Sequence, residues 1–393
     1  MDKPNMLERA KDIQDQLVAW RRDFHMHPEL GFCELRTSAK VAETLISMGL
    51  KVRQRVGKTG VVADLGSGSP MIAIRADMDA LPLQEKNEVE YASQVPGVMH
   101  ACGHDAHTAM LLGVAKLLTQ QDLPGTVRLL FQPSEEKGDE EGVSGAPRMI
   151  ADGAMEGVDM VIALHVSPMT PTGQIQVDAG PGSGGVDSWF AKIIGKGGHG
   201  ASPHKTIDPF YICSHVIMAL NGIVSRRVAP FSPAVVSIGS LHGGHTENVI
   251  PEHVEITGTL RYTEEKVHQE LHDEIRRAFE LAKALGGDYE LRFEIGDPPM
   301  INSPKAVSLI TAAATDLIGA ENIFPMDKGL GAEDFGQFSV IAPGAMFSLG
   351  TLIAGDERTG HNPRFDINED GLAIGTAILA ESALRFFQER KSG

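Results

Sequence analysis

Residues 99–107 read Met-His-Ala-Cys-Gly-His-Asp-Ala-His and place three imidazoles, a thiol and a carboxylate ahead of an apolar helical pattern. Donors this dense and of this softness suit a transition-metal ion. Extended backbone alternates its side chains, so His100, Cys102 and His104 are expected on one face if the chain runs straight into the helix. That helix is expected to begin at Asp105, a good N-cap residue, because Ala109, Leu111, Leu112, Val114, Ala115, Leu117 and Leu118 follow in a largely apolar pattern. Its positive end then faces Cys102 and, together with a bound cation, favours the ligating thiolate. The competing reading is a buried structural cysteine beside capping histidines.

Three further segments carry groups of the same chemistry. Glu135 and Glu136 follow an apolar run at 126–131 and Gln132-Pro133. Adjacent acids at a strand end can diverge, one ligating a metal and the other deprotonating a water. A solvated acidic turn is the alternative, since Asp139, Glu140 and Glu141 lie just downstream. His165 ends the run Val161-Ile162-Ala163-Leu164, and His361 sits in Thr359-Gly360-His361-Asn362-Pro363, a loop.

The elements that must position these groups follow from apolar spacing. Residues 12–24, 37–48, 105 onward and 144–153 predict helices, while 61–65, 71–75, 126–131 and 159–164 predict short buried strands. This alternation predicts an α/β sheet, at least partly parallel. Active groups in such sheets gather beyond the carboxyl ends of the strands, where Asp77, Asp79, Glu135, Glu136 and His165 all fall. From about Gly182 a Gly-rich connector leads into a strand at 189–194, a helix at 208–224, strands at 234–240 and 253–262, a helix at 265–285 and a strand at 289–294. That order is a split β-α-β insertion of the ferredoxin-like kind. After Asp297-Pro298-Pro299 the first domain is expected to resume and to end in an apolar helix at 370–387. The domain boundaries expected are 1–182, 183–298 and 299–393.

Composition removes several function classes. The chain has 393 residues, 42% hydrophobic and 22% charged, with a formal net charge of −17. Arg21-Arg22 and Arg226-Arg227 are only pairs, so nothing offsets that charge against a phosphate backbone, and nucleic-acid binding is not expected. No stretch reaches the ~18 apolar residues of a membrane span, and the N-terminal segment is too charged for a signal peptide, so no membrane association is expected. Cys33, Cys102 and Cys213 are odd in number and far apart, which argues for a reducing compartment, the cytoplasm.

Taken jointly, the motifs Arg75-Ala76-Asp77-Met78-Asp79-Ala80-Leu81-Pro82, His100-Ala101-Cys102-Gly103-His104-Asp105-Ala106-His107, Phe131-Gln132-Pro133-Ser134-Glu135-Glu136, Gly195-Lys196-Gly197-Gly198-His199 and Glu333-Asp334-Phe335 carry a resemblance. The chain resembles the dinuclear metallopeptidase family of aminoacylases, hippurate hydrolases and indole-acetyl-amino-acid hydrolases, from His25 to His361. The resemblance implies a catalytic domain of zinc-exopeptidase type and an inserted ferredoxin-like domain that acts as lid and dimerisation surface. It implies two divalent ions per subunit, zinc or manganese with cobalt or nickel as options, held by Cys102, His104, Glu136, His165 and His361. Glu135 is then the general base, Asp79 stands beside the metals, and Asp77 occupies a position where other branches carry a ligand histidine. His199 matches an oxyanion-stabilising histidine commonly supplied by the partner subunit, and Asn248 matches its neighbour. Arg261 matches a clamp for the substrate carboxylate, a role that suits a guanidinium fork.

The activity so implied is hydrolysis of N-acyl amino acids by a homodimer or higher homo-oligomer. Dipeptide or carboxypeptidase-type cleavage is the nearest alternative, and a thiol amidase using Cys102 is the alternative from another class. Lys137, where relatives often have glycine, and the Gly-rich stretch at 181–189 depart from the family pattern.

Overall fold

The computed structural model describes residues 4–356 and 358–391. The chain divides into two compact units, the first of residues 1–182, 301–327 and 337–393, the second of residues 183–300 and 328–336. The stretch 328–336 therefore groups with the second unit, whereas apolar spacing alone gave no reason to separate it from the C-terminal part.

The first unit opens with a short helix, Met6–Lys11, capped by Asn5 and Glu8, and continues into α1 (Gln14–Met26) and α2 (Leu35–Ser47). Strands β1 (Lys51–Val56), β2 (Gly60–Gly66) and β3 (Met71–Asp77) precede helix α3 (His104–Leu118), strand β4 (Thr126–Gln132) and strand β5 (Met160–Pro171). The second unit supplies β6 (Gly185–Ile194), α4 (Pro209–Arg226), β7 (Ala234–Gly243), β8 (His253–Tyr262), α5 (Glu265–Phe279) and β9 (Asp288–Ile295). The first unit then resumes with α6 (Pro304–Ile318), β10 (Gly344–Leu352) and α7 (Gly371–Lys391).

Its sheet runs β1-β2-β4-β3-β5-β10, extended by the two-residue strands Ile175–Gln176 and Ile323–Phe324. Strands β4, β3, β5 and β10 are parallel neighbours, while β1 and β2 are antiparallel additions at one edge. Every residue of β4 is buried, as parallel strands covered on both faces must be. Strand β1 reads Lys-Val-Arg-Gln-Arg-Val and is mostly exposed, so its apolar signal is too thin to read from the sequence. Helix α3 is buried along nearly its whole length between β3, α1 and α7. Gly113 allows that closeness, because a Cβ there would meet Leu17 Cδ2 at 2.5 Å and Thr376 Cγ2 at 2.9 Å.

In the second unit four antiparallel strands run β7-β8-β6-β9. The connectivity β-α-β-β-α-β with this order is the split β-α-β arrangement. Trp189, Ile193, Val216, Leu220, Ile256, Leu271 and Phe279 form the core where α4 and α5 cover the sheet. No helix among the described residues is long and apolar enough to cross a membrane.

Candidate metal centre

The site forms where β3 and β4 of the first unit end, but His165, expected just past a strand, lies within β5, which continues to Pro171. Helix α3 is capped two residues earlier than its sequence suggests: the N-cap is Gly103, at φ 94°, and not Asp105. A left-handed turn of this kind favours glycine, which has no Cβ to clash. It also breaks the straight path that would align His100 with Cys102 and His104. His100 instead lies with its ring centroid 6.4 Å from that of His25. Asp105 does not cap the helix; its Oδ2 accepts from Arg21 Nε and from His25 Nδ1, both at 2.8 Å.

Past this turn the expected ligands converge. Cys102 Sγ lies 3.4 Å from His165 Nε2, and His361 Nε2 lies 3.1 Å from Glu136 Oε1. Donor atoms of Cys102, His104 and His165 fall within 4.8 Å of one another, as do those of Cys102, Glu136 and His361, and those of His104, Glu135 and Glu136. Six side chains from four segments thus make overlapping sets, two of them sharing Cys102.

Backbone carbonyls set the tautomers. His104 Nδ1 donates to the Asp79 carbonyl at 3.0 Å, and His165 Nδ1 donates to the Val166 carbonyl at 2.8 Å. Each ring therefore presents the Nε2 lone pair to the cluster, the form that binds metal. His361 is held by its own N–H, which donates to the Ala101 carbonyl at 2.8 Å, and it adopts φ 56° to do so. Asp79 lies between two of the expected ligands: Oδ1 is 3.2 Å from His104 Nδ1, and Oδ2 accepts the Glu136 N–H at 3.0 Å.

The electrostatics fit a cation. Burial opposes a charged Cys102, but the imidazoles of His165 and His104 draw its thiol down to about 6. His361, beside Cys102 and Glu136, is pushed up to about 10. A field that holds a proton so firmly on an imidazole attracts other cations. His104 Nε2 is buried with no hydrogen bond, which a buried polar atom tolerates only when another partner is provided. One thiolate, three imidazoles and two carboxylates are donors suited to divalent transition metals, so the residues fit a two-ion centre.

One contributor was not read from the sequence. His107 Nδ1 donates to Asp77 Oδ1 at 2.6 Å while its Nε2 accepts the N–H of Val166 at 2.9 Å, next to His165 in the chain. Asp77 is itself held by Arg75 at 2.6 Å. The only signal was the position of His107 one turn beyond His104 on α3.

In the second unit His199 and Asn248 come together, on strand Gly198–His199 paired with Val249–Ile250, and the Gly200 N–H donates to the Asn248 carbonyl at 2.8 Å. His199 is exposed. Arg261 lies on β8 with Nη1 donating to the Leu260 carbonyl at 3.1 Å and to Thr259 Oγ1.

A mostly parallel α/β sheet that carries such a cluster of candidate ligands fits a metal-dependent hydrolase. Comparison with known proteins makes this specific. The profile of Peptidase family M20/M25/M40 matches residues 73–385. The chain is 39% identical over 389 residues to the thermostable carboxypeptidase 2 of Saccharolobus solfataricus, covering 96% of this chain and 97% of that one. It is 44% identical over 307 residues to the N-acyl-L-amino acid amidohydrolase of Geobacillus stearothermophilus, covering 77% and 82%. The crystal structure of the Bacillus subtilis YXEP protein, a dinuclear metal binding peptidase, superposes with a TM-score of 0.84 at 33% identity, covering 96% of this chain and 99% of that one. The chain belongs to peptidase family M20/M25/M40 and is a hydrolase acting on amide bonds.

Proposed function

We propose that the protein hydrolyses N-acyl amino acids to a carboxylic acid and a free amino acid, with two divalent ions held by Cys102, His104, Glu136, His165 and His361. The observation that carries this reading is the convergence of those donors beside Glu135, with His104 Nε2 buried and lacking a hydrogen bond. The ions, zinc or manganese in this reading, supply Lewis acidity toward the amide carbonyl and toward water.

The chain's own groups do the rest. Glu135 takes a proton from the attacking water and returns it to the departing amine nitrogen, so one carboxylate serves both halves of the reaction. Asp79 positions His104 and the backbone of Glu136, and does not itself move a proton. His199 stabilises the oxyanion as it develops, with Asn248 beside it, and Arg261 clamps the substrate carboxylate through its guanidinium. The second unit acts as a lid and as the surface through which two subunits pair, and the enzyme works in the cytoplasm.

A screen of N-acyl amino acids and dipeptides on metal-replete protein, with metal content measured on the same sample, tests this. Turnover of N-acyl amino acids that disappears on chelation and returns with metal is expected. Dipeptides or C-terminally cleaved peptides as the sole substrates would replace the reading with the peptidase one, which the name of the Saccharolobus relative favours. Activity that survives complete metal removal would instead assign Cys102 as a nucleophile.

A further inference from the structure

The second unit has its own convergence of donors. Asp187, on β6 opposite Ile295 of β9, is fully buried. His268 and His272 stand one turn apart on α5, a spacing that puts both on one face of the helix. Their Nε2 atoms approach the same oxygen, Asp187 Oδ2, at 2.6 and 2.5 Å. The other oxygen, Oδ1, accepts the Gly296 N–H at 3.2 Å and fixes the carboxylate plane. Aromatic rings clamp both imidazoles: Tyr262 stacks on His268 and Phe293 on His272, each with centroids 4.0 Å apart.

We propose that Asp187, His268 and His272 form a further divalent-cation site of the zinc type, with a fourth position open to water. Two imidazoles and one carboxylate are a common three-ligand set for zinc. Here each ligand is held by something other than its neighbours in the set: a backbone N–H for Asp187, a stacked ring for each histidine.

With both rings neutral, a purely hydrogen-bonded role leaves one group badly placed. If both rings keep their proton on Nε2, toward Asp187, then His268 Nδ1 is a lone-pair acceptor. That atom is buried without a hydrogen bond, and Glu265 Oε2 lies 3.5 Å away. Two acceptors then face each other. Moving the ring proton from Nε2 to Nδ1 points an N–H at Glu265 and frees Nε2 for an ion, with no net change in protonation. Imidazole, metal and an outer carboxylate then line up as in many zinc sites.

The charge and the room are consistent with this. Burial works against the charge on Asp187, but hydrogen bonds from His272 and His268 outweigh it and hold the carboxyl below its ordinary range. Ligand bonds of about 2.0–2.1 Å set tetrahedral donors roughly 3.3 Å apart, so the three side chains must part by less than about 1 Å. His268 and His272 each remain 7% exposed, which leaves an edge for entry.

Zinc content after equilibrium dialysis against buffered zinc provides the test, comparing the full native chain with His272→Gln. The native chain is expected to hold one more zinc ion than the variant, with turnover of the amide substrate unchanged. Equal zinc content in the two proteins overturns the proposal. If His272→Gln does not fold, anomalous scattering from zinc-equilibrated crystals of the native chain decides. A peak bounded by Asp187, His268 and His272 supports the site, and ordered side chains without a peak overturn it. Neither readout depends on the substrate, so failure here leaves the proposed activity untouched.

Discussion

Between Cys102 and Asp105 the chain passes from one kind of buried polar cluster to another. Behind Asp105, the fully buried Arg21 donates to Asp105 at 2.8 Å, to Asp366 at 2.7 Å and to Glu369 at 3.2 Å, so all three guanidinium nitrogens have a carboxylate. On the other side, a thiol, imidazoles and carboxylates meet. Both clusters concentrate negative charge in the interior. Arg21 balances the first from within the chain; the second gathers the soft and borderline donors that suit a divalent ion. Burial alone does not tell the two kinds of acid apart.

The sharpest way to break that comparison is to remove a group from the second cluster that does not balance charge. Glu135→Gln keeps the size of the side chain but cannot accept a proton. Metal content should stay at the native level while kcat/KM on an N-acyl amino acid falls by about 10²–10⁴-fold, the usual range for a general base. Glu136→Gln should lose metal as well as turnover. Equal metal content in the two variants would show that the roles of the pair are reversed or absent.

In the first cluster the same logic applies to stability. Arg21→Ala strands Asp105 and Asp366 as buried carboxylates, and breaking a buried pair from one side costs about 3–5 kcal/mol. Arg22 is next in sequence, yet its side chain is 40% exposed and pairs with Glu369 at 2.6 Å. Surface pairs contribute roughly 0–1 kcal/mol, so Arg22→Ala should barely shift the urea midpoint. Similar shifts for the two variants would refute the distinction between them.

Those two arginines also show what a sequence conceals. As a dipeptide they read only as a short basic pair, but successive helical residues point about 100° apart, and one enters the core while the other does not. The strands at 61–65, 71–75 and 126–131 were legible because their apolar runs are continuous, as central strands require. The convergence of Cys102 and His104 as candidate ligands was legible because they are two residues apart; His361 entered the candidate set only through family resemblance, being a loop histidine otherwise. The start of α3 was misread because Asp is a good cap by type, whereas Gly103 takes the cap by conformation and Asp105 turns to Arg21. His107 was missed because its partner is a backbone N–H 59 residues away, on a strand whose register no local pattern reveals.

A third acid, Glu34, falls between the two clusters in kind. It is fully buried and, among the described residues, its partners are neutral donors: the Ser134 N–H at 2.8 Å, the Thr59 hydroxyl at 2.5 Å and its own backbone N–H. Burial dominates, and its carboxyl is pushed up to about 7 from an ordinary 4.5. Between those two values the folded chain keeps a proton that the unfolded chain releases, so this group's contribution falls as pH rises through the window and is level above it. The span corresponds to roughly 3 kcal/mol. Glu34→Gln should therefore gain stability relative to the native chain as pH rises from 4.5 to 7, measured by urea unfolding at fixed pH. Parallel stability curves would mean that these hydrogen bonds keep Glu34 ionised throughout.

The smallest effect separates holding a ligand from being one. His107 touches no other proposed ligand through its own nitrogens: Nδ1 serves Asp77 and Nε2 serves the Val166 N–H beside His165. Outer partners of this sort typically change metal affinity by about 10–100-fold, and the loss should appear in competition titrations with a chelator before it appears in turnover at saturating metal. Two replacements divide the role. In His107→Asn the amide can still donate toward Asp77 but is too short to meet Val166, whereas in His107→Gln the amide oxygen can reach toward Val166. If the imidazole acts by fixing the strand that carries His165, Gln should restore more affinity than Asn. Rescue by Asn alone would move the function to the Asp77 side, where His104 Nε2 lies 3.6 Å from Asp77 Oδ2. Native affinity in both would mean that β5 holds His165 in place without help, through its parallel pairing with β10 at Ser348.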